Sequence, residues 1–142
     1  MFHRKAVRIL VVIWAVVLIV CNVSASAADH RASLKIGYAT ATLSKDRYGD
    51  LSIACHIKAN GVMDTIGVSS IRIERYNGSK WIREGTLTDN DLPGLLTSNR
   101  SLYDVAVSYS PQYSDVSYRA VVSFYAEDSD GVSTKSVTTK SV

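Results

Sequence analysis

Cysteine is scarce in this chain. Its 142 residues include only Cys21 and Cys55, and Cys21 directly follows an apolar N-terminal run. If that run is removed as a signal peptide, Cys55 remains alone, and one cysteine cannot form an internal disulfide. The stability must then come from a hydrophobic core, which a domain of about 115 residues can bury.

Basic charge is also scarce once the N-terminus is set aside. The formal charge of +3 arises from 16 Lys+Arg against 13 Asp+Glu, and three of the basic residues (Arg4, Lys5 and Arg8) precede residue 29. The remainder is formally neutral, with 13 residues of each sign. We therefore expect no nucleic-acid partner, and no membrane contact after signal removal.

Histidine is too sparse for a metal or catalytic site. After residue 28 the chain has only His30 and His56, which together with Cys55 do not give the ligand spacing of a zinc site. Cys55 and His56 are neighbours on a predicted strand, so their side chains point to opposite faces and cannot form a nucleophile pair. We interpret Cys55 as a small core side chain. No catalytic residue and no cofactor are predicted, and an enzyme is not expected.

The N-terminus has the order of a secretory signal peptide. Basic residues precede the apolar run Ile9–Val20, and the small residues Ser24–Ala28 follow. Cleavage after Ala27 or Ala28 fits this pattern. The prediction is a signal-peptide helix over 1–28, a domain over 29–142 and a secreted product. The alternative is an uncleaved membrane anchor, although the run is shorter than the ~20 residues a spanning helix needs.

Period-2 alternation dominates the remaining sequence. It is clearest over Val116–Ala126, where one face is entirely apolar, and next clearest over Asp50–Ala59. The apolar phase flips at Ser69-Ser70, which predicts a β-bulge or a strand beginning there. Asn60-Gly61 predicts a turn. The other predicted strands are Leu34–Leu43, Ile71–Tyr76, Trp81–Glu84, Ser101–Tyr109 and one from Val132 to about Lys140.

Turn signals recur roughly every ten residues, and no segment has helical amphipathicity. About seven short strands at this spacing predict a single all-β, antiparallel, immunoglobulin-like β-sandwich. Gly85–Arg100 has no period of either kind. We expect a long excursion across a sheet edge there, with one helical turn near Leu95 as an option.

Two motifs carry a resemblance that spans roughly Leu51 to Thr139. Ile71–Trp81 is a strand that turns through Asn-Gly-Ser and resumes at a Trp, and Tyr118–Ala126 is followed by Asp130-Gly131. The chain thereby resembles uncharacterised small secreted β-sandwich proteins of Gram-positive bacteria, of immunoglobulin-like or fibronectin-like type. The resemblance implies a sandwich without the inter-sheet disulfide of immunoglobulins, because only Cys55 is present. It brings no catalytic or binding residues.

The aromatic residues are the main functional signal. All eight tyrosines follow residue 28, Tyr76 and Trp81 flank the Asn77-Gly78 hairpin turn, and Tyr125 faces away from the apolar side of its strand. Because aromatic side chains give large contact area at low entropic cost, Tyr76, Trp81 and Tyr125 are candidate binding residues. The alternative is that tyrosine simply suits a half-buried sheet. Tyr118 is interpreted as a structural corner tyrosine.

The acidic turn Glu127–Gly131 offers oxygen ligands. Asp128 and Asp130 are candidate calcium ligands, although the segment lacks the remaining ligands of an EF-hand loop. We therefore predict an ordinary solvated turn and no metal site, with calcium binding as the alternative.

These observations lead to one functional hypothesis and one rival. The first is a non-enzymatic, secreted module that binds an extracellular glycan, such as envelope polysaccharide, or a protein. The rival is a structural or accessory domain that self-associates through an edge strand.

Overall fold

A computed structural model describes residues 35–142. This part of the chain contains eight strands and no helix, so the all-β prediction is confirmed. The predicted signal peptide over 1–28 lies outside the described residues. In the described range no helix is long and apolar enough to cross a membrane. The strands are β1 (Ile36–Lys45), β2 (Leu51–Met63), β3 (Thr65–Tyr76), β4 (Trp81–Thr88), β5 (Leu96–Thr97), β6 (Arg100–Tyr109), β7 (Tyr118–Asp128) and β8 (Gly131–Thr138).

The strands form two antiparallel sheets. The smaller sheet has the order β1-β2-β6. The larger sheet has the order β4-β3-β7-β8, and the two-residue β5 adds to one end of β3. The chain passes from the smaller to the larger sheet at Asp64, the only residue between β2 and β3. Strands β1, β6, β4 and β8 are the outer members of the two sheets.

Side chains from both sheets bury themselves in one core. In β2 the residues Leu51, Ile53, Cys55 and Ile57 are buried in strict alternation. Every second residue of β7, from Tyr118 to Ala126, is likewise buried, and Ile71 and Ile73 of β3 join them. A core shared by two antiparallel sheets is consistent with the predicted β-sandwich. The compact unit Ser33–Val142 contains the whole of this core.

The predicted turn at Asn60-Gly61 is wrong, because β2 continues through it to Met63. The backbone N–H of Asn60 donates to the carbonyl of Lys35 at 2.9 Å, and Met63 pairs with Arg100 of β6. The pairing is irregular on both sides of this segment, because the β1–β2 register shifts between Ile36 and Tyr38 and the β2–β6 register shifts between Lys58 and Met63. The bond to Lys35 and the pairing of Met63 keep the segment in the strand despite its turn-forming residues.

The phase change at Ser69-Ser70 is the predicted bulge, since the β3–β7 register shifts between Val68 and Ser70. The optional helical turn near Leu95 is absent from the described chain. Leu95 is buried instead, and its carbonyl accepts the Val68 N–H at 2.8 Å. Gly67 permits this approach, because its φ is 147° and a Cβ there would collide with the Leu95 carbonyl oxygen.

Candidate functional site

The outer face of the larger sheet gathers aromatic and charged side chains at one end. Because side chains alternate along a strand, Ile71 and Ile73 enter the core while their neighbours on β3 face outward. Trp81 is the cross-strand partner of Tyr76, and Glu74 lies between Arg83 on β4 and Arg119 on β7. We call this group the aromatic–arginine face. Its members are Arg72, Glu74, Tyr76, Trp81, Arg83 and Arg119.

A tight hairpin places the two aromatic rings side by side. The Asn77 Oδ1 accepts the backbone N–H groups of Ser79 and Lys80 at 3.0 and 2.9 Å, and Gly78 has a φ of 96°. The predicted Asn-Gly hairpin is therefore confirmed, and its chemistry is an asparagine-capped turn. The ring centroids of Tyr76 and Trp81 lie 5.3 Å apart at an interplanar angle of 50°.

Arg119 completes the arrangement on Trp81. Its guanidinium carbon lies 4.4 Å from the centroid of the Trp81 ring, within the range of a cation–π contact. Trp81 is half-buried by its neighbours, whereas Tyr76 keeps 38 % of its surface exposed. The face thus presents one tyrosine ring and a tryptophan that is already fixed in orientation.

Glu74 fixes the guanidinium groups. Its Oε2 accepts the Arg119 Nε–H at 2.6 Å, and its Oε1 accepts the Arg72 Nε–H at 2.9 Å. Burial alone would raise the pKa of Glu74, but the hydrogen bond and charge of Arg119, followed by those of Arg72, outweigh burial and lower the pKa. Glu74 is therefore a carboxylate at neutral pH, and it orients both arginines.

Tyr125, the third predicted binding residue, lies elsewhere on the same sheet. Its cross-strand partner is Gly67, which lies nine residues before Tyr76 on β3. At ~3.3 Å per residue, Tyr125 and Tyr76 are therefore roughly 30 Å apart along the sheet. Its hydroxyl donates to Glu127 at 2.8 Å, which raises the Tyr125 pKa. The structure brings Tyr76 and Trp81 together and leaves Tyr125 outside the group.

A second glutamate, Glu84, closes one end of the core. The Tyr118 hydroxyl donates to its Oε2 at 2.8 Å, and the Tyr109 hydroxyl donates to its Oε1 at 3.3 Å. The backbone N–H of Gln112 also donates to Oε1, at 2.8 Å, and the Arg75 Nε lies 3.9 Å from Oε2. Burial, with the Glu84 hydrogen bond second, raises the pKa of Tyr118 to about 12. We call this group the Glu84 cluster.

The Glu84 cluster depends on a β-bulge. The β3–β4 register shifts between Ile73 and Glu74, so Glu84 is the extra residue of β4. The next residue, Gly85, makes room for a phenol, because a Cβ there would lie 2.8 Å from the Tyr109 hydroxyl. Tyr118 is fully buried at the start of β7 and is structural, as predicted from its position.

Cys55 and His56 face opposite sides of the smaller sheet. Burial raises the pKa of the Cys55 thiol to about 11, so the thiol is un-ionised at neutral pH. His56 points outward, where its Nδ1 pairs with the Asp104 carboxylate and its ring meets that of Tyr38 at 5.8 Å. A shallow groove of about 410 Å³ runs beside this pair over small side chains. Its lining is Thr40, Thr42, Ala54, Cys55, His56, Asp104, Val105 and Ala106.

The acidic turn is organised by hydrogen bonds and a lysine. The Asp128 Oδ1 accepts the Asp130 backbone N–H at 2.8 Å and pairs with the ammonium group of Lys35. The lysine hydrogen bond is the main reason for the lowered pKa of Asp128. Among residues 35–142 no three His, Cys, Asp or Glu side chains are grouped to hold a metal ion. Calcium binding by Asp128 and Asp130 stays the alternative to an ordinary turn.

Sequence reasoning identified Tyr76 and Trp81 but missed Glu74, Arg72 and Arg119. A partial signal existed, since Arg72, Glu74 and Tyr76 share one parity on β3, and Arg119 lies on the polar parity of β7. Parity alone does not give the register that places Arg119 beside Glu74.

Comparison with known proteins gives little guidance. No family model and no curated protein matches the chain. One solved structure is similar, the solution structure of a protein described as a late embryogenesis abundant (LEA) protein. It has 19 % identity and a TM-score of 0.46, over 75 % of this chain and 71 % of that chain. A likeness this distant supports no inference here, and the resemblance to small secreted Gram-positive proteins stays a prediction.

Proposed function

We propose that the chain is an exported, non-enzymatic module that binds an extracellular polysaccharide through the aromatic–arginine face. The observation that carries this proposal is the stack of Tyr76, Trp81 and Arg119, held at the surface by Glu74. Sugar rings present an apolar face that packs on aromatic rings and hydroxyls that need fixed hydrogen-bond partners. The rings and the guanidinium groups supply both in one place.

The composition of the face favours a polysaccharide over a protein partner. Tyrosine, tryptophan and arginine are also common at the centres of protein interfaces, where surrounding contacts exclude water from them. Here the neighbours of the aromatic pair are charged, and the aliphatic side chain beside them, Val121 opposite Arg72 on β7, is half-buried. Exposed aliphatic side chains such as Val62 and Leu102 lie on other strands. A protein ligand is one outcome of the test below.

The fold type is part of the proposal. We infer an immunoglobulin-like sandwich of the fibronectin-like kind, built from seven main strands with the short β5 as an addition. Two features support it. The fourth strand lies beside the third rather than in the β1-β2-β6 sheet, and Tyr118 occupies the corner position at the start of β7. Export rests on the signal pattern over residues 1–28.

The test is co-sedimentation with isolated cell-wall sacculi and with insoluble polysaccharides. The protein used in this test begins at Asp29 and so contains the whole compact unit Ser33–Val142. Wild type is compared with Trp81→Ala and with a matched control, Tyr38→Ala. Tyr38 is 53 % exposed, but it lies on the smaller sheet.

We expect saturable pelleting that Trp81→Ala weakens and Tyr38→Ala does not. Equal weakening by both variants would locate the binding elsewhere. Absence of pelleting for the folded wild type would contradict a wall-glycan function and leave a protein ligand.

One observation favours the rival, self-association. The only charged residue of the edge strand β1 is Lys45 at its end, so Ile36 to Ser44 form an uncharged run, whereas β4, β6 and β8 each carry a charge within the strand. Long uncharged edges are the ones that pair with other chains. Sedimentation velocity tests this rival. Concentration-dependent growth that Thr42→Lys abolishes would support it, and a monomer at all concentrations would exclude it.

A further inference from the structure

The aromatic–arginine face has an excess of positive charge in a domain that is otherwise balanced. Three of its members, Arg72, Arg83 and Arg119, are cations, and Glu74 is its only anion. From residue 29 onward the chain has no net formal charge. The local excess therefore belongs to this part of the surface and does not reflect a basic protein.

The arginines of this face keep hydrogen-bond donors for a ligand. Arg72 and Arg119 both contact Glu74 through Nε, and a guanidinium carries five N–H donors in a planar fork. Their side chains remain 46 % and 31 % exposed. Glu74 thus orients the two groups without using all their donors.

Arg83 adds a cation without a counter-charge. It is the cross-strand partner of Glu74 on β4 and is exposed. In the described part of the chain no ion pair includes Arg83, whereas Glu74 pairs with Arg72 and Arg119. A carboxylate or phosphate on a ligand would meet Arg83 and the outward donors of Arg119 in the same row of the sheet.

We propose that the ligand of this face is an anionic polysaccharide, one whose sugar rings bear or are linked by carboxylate or phosphate groups. The inference rests on the proposed polysaccharide function and specifies the chemical class of the polysaccharide. Guanidinium groups match the oxygens of carboxylate and phosphate in a two-point geometry that neutral hydroxyls do not offer. Tyr76 and Trp81 recognise the ring, and the arginines recognise the acid.

Trp81 provides the readout. The chain has two tryptophans, Trp14 and Trp81, so a protein beginning at Asp29 has Trp81 as its only indole fluorophore. Its fluorescence is titrated with polygalacturonate and with a phosphorylated dextran, whose sugar rings carry the acid as carboxylate and as phosphate. Dextran serves as the neutral glycan, and polyglutamate as a polymer of carboxylates without sugar.

We expect a saturable fluorescence change with at least one acidic glycan and an affinity at least tenfold lower for dextran and for polyglutamate. Raising the salt from 0.05 to 0.5 M, which shortens the Debye length from about 14 to about 4 Å, should weaken binding several-fold. Arg83→Gln should weaken it about three- to tenfold, the effect of one partly screened charge contact. Arg100→Gln, an exposed arginine on β6 of the other sheet, should not.

The outcomes separate the two proposals. Equal affinity for dextran, without a salt effect or an effect of Arg83→Gln, would overturn the anionic class and leave the polysaccharide function standing. Equal affinity for polyglutamate would show that charge alone is recognised and would also overturn the inference. No response to any glycan would contradict the polysaccharide function as well. Circular dichroism of each variant verifies that it is folded.

Discussion

Two glutamates on neighbouring strands illustrate two uses of a buried carboxylate. Glu84 of β4 accepts hydrogen bonds from two phenols and a backbone N–H at one end of the core. Glu74 of β3 accepts from two guanidinium groups on the outer face of the same sheet. One ties a loop to the core, and the other arranges cations at the surface.

The difference lies in what each carboxylate leaves available. The groups that donate to Glu84 cannot also contact a ligand, because Tyr118 is fully buried and the Gln112 N–H is part of the loop between β6 and β7. The donors on Glu74 belong to partly exposed arginines that can contact a ligand. We therefore attribute stability to the Glu84 cluster and propose binding at the aromatic–arginine face.

The largest expected effect is on Glu84. Glu84→Ala removes the acceptor of a buried phenol (Tyr118), a half-buried phenol (Tyr109) and a backbone N–H, and it leaves Arg75 without its carboxylate partner. We expect a loss of about 3–5 kcal/mol in the free energy of unfolding, measured with urea. Glu127→Ala is the control, because its bond to Tyr125 is part-buried on the outer face; we expect a loss of about 1 kcal/mol or less. Similar losses for both variants would remove the distinction.

High pH should weaken the core. Burial raises the pKa of Cys55 from 9.0 to about 11, and burial with Glu84 raises that of Tyr118 from 10.0 to about 12. Between the unfolded and folded pKa values the native state binds more protons than the unfolded state. The contribution of these two groups to the free energy of unfolding is therefore fully present below about pH 9 and is lost as the pH rises. We expect a loss of up to about 2–3 kcal/mol per group by pH 12. The matched variant Cys55→Ala should show a shallower decline above pH 9, and an unchanged profile would contradict this reading.

A smaller effect is expected at Glu74. Glu74→Gln should cost about 1–2 kcal/mol, less than Glu84→Ala, because the amide still accepts one arginine and the other can turn to water. The folded pKa of Glu74 lies below 4.5, so its contribution is present above that pH and is lost as pH falls through the folded value. Lowering the pH from 5 to 3 should therefore reduce the free energy of unfolding, measured with urea, more in wild type than in Glu74→Gln. A greater acid sensitivity of the variant would contradict the lowered pKa.

The smallest expected effect is the loss of the stack on Trp81. Arg119→Lys keeps the charge but loses the planar group that packs on the indole, at a cost of about 0.5–1 kcal/mol. The indole should gain mobility, seen as lower fluorescence anisotropy of Trp81. An unchanged anisotropy would show that Tyr76 alone positions the ring.

Local patterns predicted most of the strands. Strict alternation in β2 and β7 identified their buried faces, and Asn77-Gly78 identified the hairpin that joins Tyr76 to Trp81. Such features depend on a few neighbouring residues. The turn predicted at Asn60-Gly61 was wrong because its preference is overridden by pairing with Lys35, 25 positions earlier in the chain.

The candidate site was only partly predictable for the same reason. Arg119 meets Glu74 across 45 positions of sequence, through a β3–β7 register that the bulge at Ser69-Ser70 offsets. Alternation showed that Tyr125 points outward but not how far along the sheet it lies. Sequence parity therefore identified side-chain faces, whereas the register, a tertiary property, determined which residues share a site.

We propose that the outer face of the larger sheet is the binding face. The most direct measurement is a two-dimensional ¹H–¹⁵N NMR titration of the protein beginning at Asp29 with a soluble acidic oligosaccharide. If the proposal is correct, the Trp81 indole N–H, the Arg119 Nε–H and the Tyr76 amide shift, and the amides of Tyr38 and His56 on the smaller sheet do not. Shifts confined to Tyr38 and His56 would contradict it and place binding at the groove beside Asp104.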